Sequence, residues 1–171
     1  MKLENILIGN QDTHRLYLID FGLASQYLDQ KTGRHIRKLN TSRFSGNFMF
    51  ASLNTLRGNN KSRRDDFESV IYILVFLISQ SSLPWFEIWK KFDRNNLSFE
   101  DIILERMKKC YTAKLVQKVP QDLKMIVKKT LCLGFKDEPP YAELLRCLEN
   151  CFQRALLASA PKSFTKISIR D

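Results

Sequence analysis

A long hydrophobic run is the first feature that this sequence lacks. The longest apolar stretch is VIYILVFLI, at residues 70–78. It is too short to cross a bilayer, because a spanning helix needs about 20 apolar residues. A helix that is apolar on all sides over this length is typical of the buried centre of a globular fold. We therefore expect no membrane span.

Cysteine and histidine are too scarce and too scattered to predict a zinc site. No CxxC pair is present, and Cys147 and Cys151, one helical turn apart, make half of such a site at best. We therefore expect buried, reduced thiols. Because no signal-peptide pattern is seen, we also expect an intracellular protein of the cytoplasm, the nucleus or both. The complete set of these residues is Cys110, Cys132, Cys147, Cys151, His14 and His35.

Glycine is also sparse, and its spacing excludes one kind of nucleotide loop. The six glycines stand at positions 9, 22, 33, 46, 58 and 134. They are too far apart to form a G-x-G-x-x-G loop, whose closely spaced glycines let backbone amides approach phosphates.

Positive charge, in contrast, is abundant. The chain has 171 residues, 44% of them hydrophobic and 27% charged, with a formal net charge of +10. This balance indicates a folded globular domain with acidic partners, such as phosphate, acidic peptide, nucleic acid or an anionic surface. No motif that interleaves aromatic and basic residues is present, so we expect no specific nucleic-acid partner.

Local patterns predict a hairpin followed by helices. ENILIGNQDTHRLYLIDFG reads as two strands, at 6–8 and 16–19, around a polar turn. Residues 23–65 show no long periodic segment, which in a compact domain is usually functional. Helices are expected at 65–80, near 86–92 and 99–110, and within 120–135 and 139–157. The fold class is thus mainly α with one small hairpin, in one domain over 1–154 and a short basic tail over 155–171.

Asp20 stands at the end of the second predicted strand, where an unpaired buried carboxylate would be costly. Asn5 precedes it by fifteen residues, and the hairpin can bring both side chains to one end. Carboxylate and amide oxygens suit a hard cation such as magnesium. The ammonium group of Lys2, three residues before Asn5, could neutralise a phosphate oxygen at the same place.

Together these residues resemble the protein kinases. KLEN, followed by IDFG, looks like the kinase catalytic loop and magnesium loop. ASLN at 51–54, SRRDDFES at 62–69 and SLPW at 82–85 are similar to motifs of the casein kinase 1 family. LGFKDEPPYAELL, beginning at residue 133, is similar to a further motif of that family. The resemblance covers about residues 1–154 and implies a C-terminal kinase lobe.

The resemblance also implies roles for individual residues. Asp20 and Asn5 would each bind magnesium on ATP, and Lys2 would steady the transferred phosphoryl group. Gly22 would let the backbone turn sharply after Asp20. Asp66 would lie buried at the start of the central helix and accept hydrogen bonds from the catalytic-loop backbone. Its plain interpretation as a helix cap is compatible with that role.

The basic segment KTGRHIRKLNTSR, at residues 31–43, has two interpretations that remain open. It is either a solvated loop or, as the resemblance favours, a site for acidic or phosphorylated protein substrates. Its candidate residues are Arg34, Lys38, Arg43 and the nearby Asn47. Met49 stands where the family usually has an arginine, and a methionine cannot pair with phosphate, so a preference for phosphorylated substrates is doubtful.

The implied activity is phosphoryl transfer from ATP to Ser or Thr hydroxyls of proteins. The sequence shows neither the catalytic aspartate that precedes KLEN in kinases nor the lysine and glycine-rich loop of the other lobe. Since phosphoryl transfer depends on positioning from both lobes, we expect this stretch alone to be inactive. The alternative is a non-catalytic, pseudokinase-like module that binds proteins. In either case we expect a monomer if it folds.

Overall fold

The computed structural model describes residues 1–41, 44, 46–80, 83–88, 98–110 and 113–159. A single 3₁₀ turn (Leu3–Asn5) leads into strands β1 (Ile6–Ile8) and β2 (Leu16–Leu18). Helical structure follows. Its elements are α1 (Leu53–Leu56), α2 (Arg63–Ile78), α3 (Phe99–Cys110), α4 (Ala113–Gln117), α5 (Gln121–Leu131) and α6 (Tyr141–Ser159).

The predicted hairpin is confirmed, and it is antiparallel with Ile6 opposite Leu18 and Ile8 opposite Leu16. Its turn is closed by Gly9 N, which donates to Arg15 O over 2.8 Å. Within the turn, the Asp12 carboxylate accepts from His14 N at 3.0 Å, as short polar side chains often do there. The expectation that β2 is buried is wrong, because all three of its residues are exposed.

The centre of the fold is α2, which begins two residues earlier than predicted. Ser62 precedes it, and the Asp65 carboxylate accepts from Ser62 N at 2.8 Å, an arrangement that favours helix initiation. Ile71 and Tyr72 on this helix are almost fully buried. The helix is not buried throughout, since Leu77 and Ile78 at its end are 55% and 40% exposed.

The other helices pack around α2. Helix α5 contacts both α2 and α6, and it buries Leu123, Ile126 and Val127. Helix α6 buries Leu144 but leaves Leu145 and Phe152 each 61% exposed. The fold is therefore mainly helical with a small hairpin, as predicted. None of the helices described here is both long and apolar enough to span a membrane.

Several predictions fall at the edges of the described residues. Of the helix predicted at 86–92, residues 86–88 are described and helical. Helix α6 continues to Ser159, so residues 155–159 of the predicted tail are helical, and 160–171 lie outside the described residues. Cys132, Cys147 and Cys151 are free thiols, as expected, but Cys132 is exposed and the other two are half-buried.

Candidate functional site

The hairpin brings Asn5 and Asp20 together. Because β1 pairs with β2, the residue before β1 lies close to the residues after β2. Ile19 N accordingly donates to Asn5 O over 2.9 Å. The side chain of Asn5 then donates from Nδ2 to Oδ2 of Asp20 over 3.3 Å, although fifteen residues separate them. The sequence-based expectation that these two side chains meet at one end of the hairpin is thus met.

The Asp20 backbone adopts an unusual conformation. Its φ is 62°, in the left-handed region that few non-glycine residues adopt, although aspartate is among the more tolerant ones. The sharp turn was expected at Gly22, but Gly22 has no positive φ, and a Cβ there would lie an ordinary 3.5 Å from Asp20 Oδ1. The turn is closed instead by Ala24 N, which donates to Phe21 O over 2.9 Å. Gly22 is therefore a neighbour of the carboxylate and not the source of its backbone geometry.

Lys2 lies directly before the 3₁₀ turn that carries Asn5. Its backbone is extended, and its carbonyl accepts from Asn5 N over 3.2 Å. Lys2 is half-buried, whereas Asp20 is exposed. The lysine is thus tied through its backbone to one of the two oxygen-bearing residues.

The donor set at this end of the hairpin fits a hard cation with few protein ligands. One amide and one carboxylate lie within hydrogen-bonding distance of each other. Magnesium commonly binds through one or two protein oxygens while keeping waters and phosphate oxygens as its other ligands. Within the described ranges no cluster of three or more His, Cys, Asp or Glu residues could hold a metal ion. A cation here would therefore take most of its ligands from water and phosphate oxygens.

Two adjacent aspartates at the start of α2 have opposite environments. Asp66 was expected to be buried, and this is wrong: its side chain is 66% exposed. Its Oδ1 atom lies 3.8 Å from the α-amino nitrogen of Met1, so it does face the start of the KLEN segment. The buried residue of the pair is Asp65, at 3% exposure.

Asp65 is a site-supporting residue that the sequence reasoning missed. Its Oδ1 accepts from Ser52 Oγ over 2.5 Å, and its Oδ2 accepts from Ser62 N. The bond to Ser52 ties the ASLN segment to the central helix. The spacing of Ser62 and Asp65, which matches a helix capping box, was the sequence signal that could have identified it.

Glu68, one turn further along α2, holds the same segment. Its Oε1 accepts from Leu53 N over 2.9 Å and from the Tyr72 hydroxyl over 2.6 Å. Burial raises the pKa of the Glu68 carboxyl, and the hydrogen bonds from Tyr72 and Leu53 offset only part of this effect. The segment that follows the basic loop is therefore fixed by two buried acids of α2.

Arg106 of α3 supports this segment from the other side. It is fully buried, and its guanidinium donates to the backbone carbonyls of Phe48 and Ala51. The same group lies over the Trp85 ring, 4.4 Å from its centroid. An arginine can bridge two carbonyls and stack on an aromatic ring at once, because its guanidinium is planar and carries several donors.

A cleft lies between the start of the chain and this braced segment. It is small, and Met1, Asn47, Lys61 and Asp66 are among its lining residues. Asn47 Oδ1 accepts from Phe50 N over 3.2 Å, which orients its side chain at the cleft. Gly46, which also lines it, has a φ of 138° that L side chains rarely adopt.

Two of the remaining candidate residues, Arg34 and Lys38, lie along the basic segment and are not among the residues that line the cleft. Arg34 and Lys38 are exposed, and Arg34 belongs to a turn in which its carbonyl accepts from Asp29 N over 2.8 Å. The hydroxyl and backbone of Thr32 lower the pKa of the Asp29 carboxyl in that turn. Arg43 lies outside the described residues. Met49 is half-buried, and its carbonyl accepts from Trp85 Nε1 over 2.9 Å.

Comparison with known sequences shows which protein family and which relative this chain resembles. Residues 2–78 match the family described as fungal protein kinase. The chain is also 30% identical, over 146 residues, to "Casein kinase I homolog 3" of Saccharomyces cerevisiae (strain ATCC 204508 / S288c). That alignment covers 85% of this chain and 27% of the yeast protein, so the chain spans about a quarter of the length of its relative.

Proposed function

The chain is a protein kinase sequence of the casein kinase 1-like type, and on this premise we propose that it takes part in the phosphorylation of Ser and Thr hydroxyls in acidic protein substrates. The Asn5–Asp20 contact carries the proposal, because it joins the two oxygen-bearing residues expected to hold magnesium on ATP. When bound, Mg-ATP would supply the phosphoryl group and neutralise part of its charge. Lys2 would add a positive charge at the same end of the hairpin.

The residues of the chain have separate parts in this proposal. Asn5 and Asp20 hold the cation, and the exposed carboxylate of Asp20 is accessible to it. The segment braced by Asp65, Glu68 and Arg106 presents Asn47 and Gly46 at the cleft, where a substrate hydroxyl group would approach. The basic residues of 31–43 supply charge complementary to acidic substrates.

We further propose that these 171 residues alone have little phosphotransferase activity. Two protein ligands on an exposed hairpin provide only part of the electrostatic environment that phosphoryl transfer needs. The loss of a base or of a phosphate-binding lysine typically lowers the rate by orders of magnitude. Binding of Mg-nucleotide is therefore a more direct test than turnover.

The test is a titration of the chain with a fluorescent ATP analogue, with and without magnesium. Magnesium is expected to strengthen binding. Asp20→Asn is expected to lower the affinity at least about tenfold when magnesium is present, because loss of the ligand's charge should cost no less than loss of an outer-shell partner does. Glu4→Gln is the matched control, because Glu4 is an exposed carboxylate in the same 3₁₀ turn as Asn5. Magnesium-independent binding, or equal affinities of Asp20→Asn and the unaltered chain, would contradict the proposal.

A second candidate function is a non-catalytic module that binds another protein. It is favoured by the exposed apolar side chains of the hairpin and the loop after it: Leu7, Ile8, Leu16, Tyr17, Leu18, Phe21 and Leu23. Exposed apolar surface that no neighbouring element covers often marks an interaction site. A chain that unfolds cooperatively as a monomer yet binds no Mg-nucleotide would support this second function over the first.

A further inference from the structure

Part of the basic segment is attached to the loop that precedes α2. Residues 37–41 run antiparallel to residues 57–60, and Asn40 and Asn59 form a bridge between them. Asn60 N donates to Leu39 O over 2.9 Å, and Thr41 N donates to Gly58 O over 2.8 Å. The two segments therefore share a short ladder of backbone hydrogen bonds although about twenty residues separate them in sequence.

The side chain of Asn60 extends this ladder. Its Oδ1 accepts from Leu39 N over 2.7 Å, and its Nδ2 donates to Arg37 O over 2.9 Å. One amide thus satisfies one donor and one acceptor of the opposite backbone, as a neighbouring strand would. With its own backbone bond, Asn60 makes three contacts with residues 37–39.

This contact places basic residues on two adjacent backbone segments, which we call the basic ridge: residues 37–38 and 57–61. Arg37, Lys38 and Arg57 are exposed, and none of them takes part in the ion pairs found within the described ranges. Lys61 follows Asn60 directly and lines the cleft beside Asn47. The ridge thus ends at the place where a substrate hydroxyl group would approach.

Like charges held near one another repel, and an anionic partner relieves that repulsion. Free rotation of a detached loop would disperse these charges, whereas the Asn60 contact keeps the backbone of Arg37 and Lys38 beside the Arg57–Lys61 loop. The fixed arrangement lowers the entropic cost of engaging several anionic side chains together.

We propose that Asn60 is a positioning residue for substrate recognition, which holds Arg37 and Lys38 in place so that the basic ridge receives the carboxylates of an acidic substrate peptide. The inference rests on the proposed kinase function and assigns part of its substrate preference to the ridge. Met49, at the position where an arginine is usual in the family, has no part in it.

The test compares Asn60→Ala with Asn59→Ala in the 171-residue chain. Asn59 is the adjacent, equally half-buried asparagine, and its side chain makes none of the bonds described for Asn60. Binding is measured by fluorescence anisotropy with a labelled peptide in which Glu and Asp residues surround one Ser. A peptide with Gln and Asn at those positions reports binding that does not depend on charge.

Asn60→Ala removes both side-chain bonds to residues 37–39. We expect it to weaken binding of the acidic peptide at least about fivefold, the factor that one typical hydrogen bond contributes, with no change for the neutral peptide. Tryptic cleavage after Arg37 and Lys38 should accelerate in the same variant, because cleavage requires the segment to detach. Asn59→Ala should match the unaltered chain in both measurements. Loss of charge-dependent binding without a change in the unfolding midpoint distinguishes positioning from general destabilisation.

Thr41→Val serves as a second variant should Asn60→Ala not fold, since it removes only the 3.0 Å bond from Thr41 Oγ1 to Gly58 O. It should shift both measurements in the same direction by a smaller amount.

Equal binding of the acidic peptide by the variants and the unaltered chain would overturn the inference while leaving the kinase proposal intact. No charge-dependent binding by the unaltered chain would overturn both the inference and the proposed acidic preference, whereas Mg-nucleotide binding would still report on the kinase function separately.

Discussion

The hairpin and the surroundings of α2 differ sharply in how they are held. The hairpin carries Asn5 and Asp20 just outside its two strands, whose side chains are mostly exposed. The ASLN segment, in contrast, is bonded to the buried acids Asp65 and Glu68, and the adjoining carbonyls of Phe48 and Ala51 are bonded to the buried Arg106. The proposed cation ligands therefore lie on the less buried region, and the proposed substrate-facing segment lies on the more buried one.

Because of this difference in burial, we expect different substitutions to affect the stability of the fold and the binding of ligands. Buried apolar and hydrogen-bonded groups contribute most of the free energy of unfolding, whereas exposed side chains contribute little. Substitutions near α2 should therefore affect folding first, and substitutions on the hairpin should affect ligands first. Three comparisons of paired variants, taken from the largest expected effect to the smallest, can confirm or contradict this separation.

The largest effect is expected from truncating the core. Ile126 is fully buried, so Ile126→Ala should lower the free energy of unfolding by about 2–5 kcal/mol. Leu16 on β2 is 64% exposed, so Leu16→Ala should cost about 0.5 kcal/mol or less. Urea unfolding followed by circular dichroism measures both. Equal losses would show that the hairpin is as much a part of the core as α5.

An intermediate effect is expected at the paired aspartates. Asp65→Ala removes the acceptor of Ser62 N and one of the two acceptors near Ser52 Oγ, and it should cost about 1–3 kcal/mol. Asp66→Ala removes a carboxylate that is 66% exposed and should cost about 0.5 kcal/mol or less. The same urea titration compares them. A larger loss for Asp66→Ala would restore the expectation that the second aspartate is the structural one.

The smallest effect is expected from Glu68→Gln, and it should depend on pH. Because burial raises the folded-state pKa of Glu68 above its ordinary 4.5, the folded protein binds more protons than the unfolded one above that pH. The contribution of Glu68 to stability is thus complete below about pH 4.5 and is lost as pH rises through the folded-state pKa. Glutamine keeps an acceptor for Leu53 and Tyr72 but does not titrate.

The measurement is the difference in unfolding free energy between the unaltered chain and Glu68→Gln from pH 4.5 to 8. The stability of the unaltered chain relative to the variant should fall as pH rises. Parallel curves would show that the Glu68 carboxyl has the same pKa in the folded and unfolded chain.

Local sequence patterns correctly predicted the hairpin and several of the helices. The hairpin was predicted from its two short apolar runs and the polar turn between them, and its strands lie within one residue of the prediction. Helix α3 lies at residues 99–110, as predicted, and α5 lies between Pro120 and Gly134. The pairing of Asn5 with Asp20 also followed from the sequence, because a hairpin of known strands fixes which residues meet.

Burial could not be predicted in the same way. Neighbouring helix residues point about 100° apart, so whether Asp65 or Asp66 faces inward depends on how α2 docks. The apolar letters of β2 suggested a buried strand, but apolarity alone does not show what covers it. The contacts of Asn60 with residues 37–39 join segments that are far apart in sequence, so they have no local signal. The letters IDFG likewise did not show that the positive φ falls on Asp20 and not on Gly22.

The contacts of Arg106 have a consequence for the order of folding. Its carbonyl partners lie 58 and 55 residues earlier in the chain, so these bonds close a long loop and carry a large entropic cost. The guanidinium loses its water only when Phe48, Ala51 and the Trp85 ring have already gathered around it. We therefore expect α3 to dock and the segment before α1 to order together, so that the surface that would receive a substrate is complete only when both have formed.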